Sequence, residues 1–171
     1  METDVHLAHS FVEFARRKLC EEFWPRVCTC LDSLSDDQVW WRPNTNSNSI
    51  GNLLLHLNGN LRQWILVPLA GEADQRDRDA EFAERKMLAT QDLRRNLDQT
   101  IRTIDQVLAK LGPDDLTKTY RVQNHFDVSA LGAIFHVIEH FAMHYGQILY
   151  ITKMLTGTDL GFFKYLEKQK R

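Results

Sequence analysis

Among the seven histidines of this 171-residue chain, three stand in a row. His136, His140 and His144 recur at four-residue intervals within ALGAIFHVIEHFAMHYGQILYITKML, residues 130–155. Four residues is about one helical turn, so a helix here lines up three imidazoles on one face. The rest of the stretch is apolar nearly all round, the pattern of a buried helix. A buried imidazole needs partners for its ring nitrogens, and a metal ion is one such partner. A histidine pair one turn apart can share an ion. His136 and His144 lie about 12 Å apart along the axis, so all three cannot bind one ion. One adjacent pair binds, either His136 with His140 or His140 with His144, and a further ligand must come from another element. His56 is the best candidate, being a histidine in the middle of another predicted helix. Tyr145, Gly146 and Gln147 surround the second pair with groups suited to function, and Gly146 is read as a place where another backbone approaches closely.

The elements that must position these residues follow from hydrophobic periodicity. Residues 4–34 read as a first long helix, with Val5, Ala8, Val12, Ala15, Leu19, Phe23 and Val27 forming a stripe and Pro25 bending it. Ser35 caps a short turn in a connector that holds Trp40, Trp41, Arg42 and Pro43. The two tryptophans are read as a plug over one end of the fold, with the wall of a ligand pocket as the sharper alternative and Arg42 as a possible anion contact. A second helix spans 49–66, capped by Ser47 or Asn48 and ended by Pro68 and Gly71. On it His56 lies on a polar flank with Asn52, Asn60 and Gln63. Residues 72–87 are dense in charge of both signs and read as a solvated crossover, with Phe82 as an anchor. A third helix spans 90–111, with Thr90 as N-cap and Gly112-Pro113 as stop. A short extended segment around 119–123 and a loop with His125 lead to the histidine helix, capped by Asp127 or Ser129. Phe162, Phe163, Tyr165 and Leu166 are expected to cover one end of the fold, with a fraying KQKR tail.

Composition narrows the class. A hydrophobic fraction of 43% suffices for a real core in one domain, taken as 1–171. A net charge of −2 gives no field favouring nucleic acid or an anionic membrane. The N-terminal METDVHLAHS lacks the basic and apolar regions of a signal peptide, and no apolar run would span a bilayer, so a cytoplasmic protein is expected. Cys20, Cys28 and Cys30 are an odd count in one segment, which argues against a disulfide framework. Helical Cys28 and Cys30 point about 200° apart and should not chelate one ion; all three read as packing residues. Four long amphipathic helices with one long crossover between the second and third describe an all-α four-helix bundle.

The stretch NSIGNLLLHLNGNLRQW, 48–64, followed far downstream by HVIEHFAMHYGQI, 136–148, resembles the DinB-like superfamily (the YfiT type). The connector WWRPN and the segment RDRDAEF, 76–82, are similar to the same branch. The resemblance implies an up-down-down-up four-helix bundle, often a homodimer. It implies a divalent metal held by one histidine of the second helix and an H-x-x-x-H pair of the last long helix, here His56, His140 and His144. His136 then falls one turn outside, as packing or support. Zinc and nickel are the implied metals, with iron or manganese as alternatives. Some relatives are thiol transferases or isomerases that use a low-molecular-weight thiol.

Three neutral imidazoles leave coordination positions for water or substrate, the layout of a catalytic site. The expected function is thus a metal-dependent hydrolase or thiol S-transferase acting on a small molecule. The alternatives are a non-catalytic dimeric module stabilised by metal, or a ligand-binding bundle whose histidines bond one another. No clear general base is legible: Glu139 lies about 100° round the helix from His140. Asn60, one turn after His56, Gln147 and Trp41 are the candidates for orienting a ligand or a metal-bound ring, with Tyr145 a weaker one.

Overall fold

The computed structural model describes residues 2–167, with side chains from 4 to 165. The basic tail 168–171 and the side chain of Leu166 lie outside the described residues. The chain is all-α apart from one small hairpin. The first helical stretch is α1 (Glu2–Arg17), a π-helical turn (Lys18–Phe23) and α2 (Trp24–Asp32). The second is α4 (Ile50–Leu61), a π-helical turn (Arg62–Leu66) and α5 (Val67–Ala70), after a short α3 (Asp36–Trp40). The third is α7 (Thr90–Leu108), and the last is α9 (Ala130–Thr156). Between them lie α6 (Arg78–Ala83), α8 (Pro113–Thr117) and the strands β1 (Thr119–Val122) and β2 (Phe126–Ser129); α10 (Lys164–Glu167) follows α9.

Both helix-interior prolines sit just past a widened turn. Proline has no N–H and its ring crowds the carbonyl four residues back. Ahead of Pro25 the Trp24 amide bonds Leu19 O, and ahead of Pro68 the Val67 amide bonds Arg62 O, both five residues back. The wide turn lets the helix continue through the proline. Pro68 therefore does not end the second helix; Gly71 does, with φ 73 in the left-handed region.

The ends of two helices differ from expectation, and a third is settled between its two candidates. Ser49, not Ser47 or Asn48, caps α4, in a reciprocal box with Asn52. Ala89, without a side-chain cap, precedes α7 in place of Thr90, and the helix stops at Leu108 before Gly112 is reached. Of the two candidates before α9, Ser129 is the cap, its hydroxyl accepting from the Gly132 amide. The expected extended segment is β1, paired antiparallel with β2 through a turn where Gln123 and Asn124 take positive φ, with His125 beside them.

The core runs between the long stretches. Leu19, Val27, Leu54, Leu57, Leu61, Ile65, Leu97, Ile104, Ile134, Phe141 and Ile148 are almost wholly buried. They come from all four long stretches; Leu19 and Val27 belong to the stripe expected on the first, whose Val5 stays exposed. Each such side chain contributes about 1.5–3 kcal/mol on removal from water. At the far end Phe163 and Tyr165 stay exposed, so only part of the aromatic tail covers the fold. Phe162 packs against the core, and the Arg26 guanidinium lies 5.6 Å from its ring and 5.2 Å from that of Phe163.

The tandem tryptophans divide their roles. Trp40 is buried, donates Nε1–H to Leu88 O at 2.9 Å, and lies flat on Gly51. A Cβ at Gly51 would stand 2.7 Å from the Trp40 ring. Gly51→Ala should therefore overpack this contact and lower stability by about 1–3 kcal/mol, read as a reduced midpoint in urea unfolding. Trp41 instead lines a cavity.

Candidate metal centre

His56 comes from the middle of α4, and His140 and His144 come from adjacent turns of α9. α4 packs directly on α9, so the polar flank of one faces the histidine row of the other. His140 Nε2 lies 3.1 Å from His56 Nε2 and 3.2 Å from His144 Nε2. All three residues offer nitrogen atoms within 4.8 Å of one another. A tetrahedral ion with metal–nitrogen bonds of about 2.0–2.1 Å sets its ligand nitrogens about 3.3 Å apart. The donor set fits a divalent ion with nitrogen affinity.

The outer nitrogens explain why the Nε2 atoms face inward. His144 Nδ1 lies 2.7 Å from the Gln147 amide oxygen, which accepts its proton. His56 Nδ1 lies 2.9 Å from Oε2 of Glu81. A carboxylate can only accept, so this contact favours the tautomer with the proton on Nδ1 of His56 and the Nε2 lone pair free. His140 Nδ1 is buried with no hydrogen-bond partner among the described residues. Burial and the neighbouring imidazoles of His144, His56 and His136 push the His140 pKa down to about 3. Burial also lowers the pKa of His144 and of His136. Neutral rings with free lone pairs are the state that ligates metal.

Sequence reasoning missed Glu81 and Arg76. The crossover was expected to be solvated; instead the Glu81 side chain is 10% exposed and that of Arg76 only 5%. Arg76 donates Nε–H to Oε1 of Glu81 at 2.8 Å and Nη2–H to Oε2 at 2.9 Å. Burial raises the Glu81 pKa, yet bonds from His56 and Arg76 outweigh it and hold the carboxyl below the usual range. Asn52 donates to the carbonyls of Glu81 and Glu84, tying α6 to α4. The Phe82 ring lies 4.5 Å from that of His56, so the expected anchor packs on the histidine itself. A buried arginine and glutamate inside a charge-dense run carry no periodic signal; the hints were aromatic Phe82 beside Glu81 and the family likeness of the segment 76–82 that holds them.

The remaining candidates fall on either side of the triad. His136 lies against Trp64, ring centroids 3.9 Å apart, with Nε2 3.4 Å from Asn60 Nδ2. Asn60 is buried and faces His136 rather than a triad ring. Gln147 and Trp41 line a cavity of about 410 Å³ with Pro43, Leu53, Tyr150 and Met154. Arg42 bonds Asn52 through Nη2 and is not part of that lining. Tyr145 is turned to Phe23, ring centroids 5.8 Å apart, and does not join the histidines. Nothing stands within 4 Å of a Cβ built on Gly146, so the expected close backbone approach is not found there. His125 stays in the hairpin turn and Glu139 is exposed. Cys20 lies 3.7 Å from Asp105, and burial with that carboxylate pushes its thiol up to about 12, which rules out an activated thiolate.

This fold, with three imidazoles converging between two of its long helices, is that of a DinB-like protein. A family model described as "Protein of unknown function (DUF1572)" matches residues 6–166, and the chain belongs to that family, which is itself DinB-like. The chain is similar in fold to the crystal structure of a DinB-like protein from Bacillus cereus ATCC 10987. The TM-score is 0.55 and the identity 13%, over 91% of this chain and 92% of the other. No curated protein matches the chain. No helix among the described residues is long and apolar enough to cross a membrane.

Proposed function

We propose that this protein is a divalent-metal enzyme, a hydrolase or thiol S-transferase, with His56, His140 and His144 as ligands. The observation that carries this reading is the convergence of three Nε2 atoms, two of them aimed by hydrogen bonds at their own Nδ1. Three protein ligands are the number of a catalytic rather than a closed structural zinc site. A bound zinc or nickel ion (iron or manganese in their place) supplies a Lewis acid that makes a water or a low-molecular-weight thiol a better nucleophile at neutral pH.

The protein's own groups supply the rest. Gln147 holds His144 with its amide oxygen and also faces the cavity. Leu53 stands one turn before His56, and Gln147 one turn after His144 in antiparallel α9, so the cavity adjoins the triad on one side. Its walls are mostly apolar, with Trp41 and Tyr150, and suit the uncharged part of a small substrate. On the opposite side Asn60, His136 and Trp64 form a supporting layer. Residues 1–171 form one domain in this reading, an up-down-down-up four-helix bundle in the cytoplasm. Leu131, Phe135, Met143, Tyr150 and Met154 expose an apolar stripe along α9, which supports a homodimer.

The purified protein should carry about one divalent ion per chain by elemental analysis. The loaded protein should turn over electrophilic esters, amides or epoxides with water or an added thiol, and chelation should abolish this. An ion without turnover across such a panel would favour the non-catalytic, metal-stabilised module instead.

A further inference from the structure

We infer that Glu81 is the positioning residue of this metal centre: delivered by the crossover and clamped by Arg76, it fixes His56 with its proton on Nδ1 and its Nε2 lone pair toward His140 and His144. This rests on the three-histidine reading above. The alternative for His56 is visible in the same geometry. Arg76 Nη2 also lies 3.0 Å from His56 Nδ1. Without Glu81, that guanidinium is free to donate to Nδ1, which drives the proton to Nε2 and removes the lone pair from the centre. With Glu81 present, Arg76 Nε and Nη2 each reach one of its oxygens while Nη1 donates to Gln63, and His56 Nδ1 donates to the same carboxylate. A carboxylate behind a ligating imidazole sets its tautomer and orientation and raises its basicity. Glu81 stands at the ring nitrogen that points away from the centre, so it acts through His56.

The fold has made room for this carboxylate. A Cβ at Gly59 would stand 1.9 Å from Glu81 Oε1 and 2.9 Å from Arg76 Nε. Glycine inside a helix costs about 0.5–1 kcal/mol relative to alanine. Gly59 lies in the body of α4, and it is the absence of a side chain there that lets the ion pair reach His56. Asn52 and Phe82 hold the same segment at two further points, one on its backbone and one on the face of the His56 ring.

The test measures zinc affinity, by competition with a chromophoric chelator, and the His56 tautomer in the metal-free protein, by two-bond proton–nitrogen NMR. Wild type should show the Nδ1–H form. Glu81→Ala should lower affinity about 10- to 100-fold and shift His56 toward Nε2–H. Glu81→Gln, whose amide oxygen still accepts the Nδ1 proton, should keep the tautomer and recover part of the affinity. Gly59→Ala should reproduce the Glu81→Ala losses with the glutamate still in the chain. A merely structural Glu81 would lower the thermal midpoint of the metal-free protein while leaving tautomer and affinity unchanged, and that result overturns the proposal. A wild-type protein that takes up no zinc overturns the metal reading, and this proposal with it.

Discussion

Replacing His140 with alanine should leave a folded protein that no longer retains a divalent ion. His140 is the central member of the triad: its Nε2 lies 3.1 and 3.2 Å from the other two. Four-ligand zinc sites release roughly 10–16 kcal/mol on binding, so one ligand's even share is about 3 kcal/mol, more than a hundredfold in affinity. Loss of this particular ring also removes one of the contacts between α4 and α9, that of His56 with His140. His136→Ala should behave differently. That ring stacks on Trp64 and faces Asn60, so its removal should cost some stability and leave the metal in place. Elemental analysis of both variants after gel filtration separates the outcomes. Full occupancy in His140→Ala would refute the triad, and loss of the ion in His136→Ala would move the centre one turn toward the N-terminus of α9. A protein whose histidines only bond one another would bind no ion in wild type or variant.

The contrast between His56 and Glu81 shows what a sequence exposes. The row His136, His140 and His144 was legible because helical periodicity turns spacing into direction, but spacing left two pairs open; the family resemblance chose His140 and His144 and joined them to His56, which stood on a polar flank. The buried stripes of the long helices were legible from the same periodicity. Glu81 and Arg76 carried no such signal. They lie in a segment with few apolar residues, where charge ordinarily means solvent, and their burial depends on a cavity that only Gly59 leaves open. Gly59 itself could not be read, since an isolated helix glycine signals nothing until its neighbour is known. Pro68 misled in another way. A proline is a strong stop in an ordinary α-helix, but the widened turn at Arg62–Leu66 absorbs it. The caps failed at the scale of one or two residues, where Ser47, Asn48 and Ser49 offer the same chemistry and only the chain path chooses Ser49.

Acidification from pH 7 should destabilise the metal-free protein well before its carboxylates titrate. Burial, joined at His140 by the imidazoles around it, holds the folded pKa values of His136, His140 and His144 below the ordinary 6.5, with His140 at about 3. A depressed folded pKa means the unfolded chain binds the proton first. The stability these neutral rings contribute is complete above about pH 6.5 and falls as the pH drops from there toward the folded values. Each affected imidazole adds a slope of at most about 1.4 kcal/mol per pH unit. Set against a total of roughly 5–15 kcal/mol, a loss on this scale lowers the unfolding midpoint measurably in mild acid. The carboxylates act in a lower window. Burial raises the pKa of Glu81, but bonds from His56 and Arg76 bring it below 4.5; the bond from Arg16 brings Asp105 below 3.8. Their contribution is lost only as pH falls through and below the ordinary carboxylate range. Thermal unfolding of the metal-free protein between pH 7 and 5 therefore isolates the histidines, and the midpoint should drop steadily across that interval. His140→Gln, which keeps a neutral polar group in place, should flatten the drop. The zinc-loaded protein should start higher at pH 7 and fall more steeply, because protons and metal compete for the same lone pairs. A midpoint that stays level between pH 7 and 5 in the metal-free protein would mean these imidazoles are not held neutral by burial.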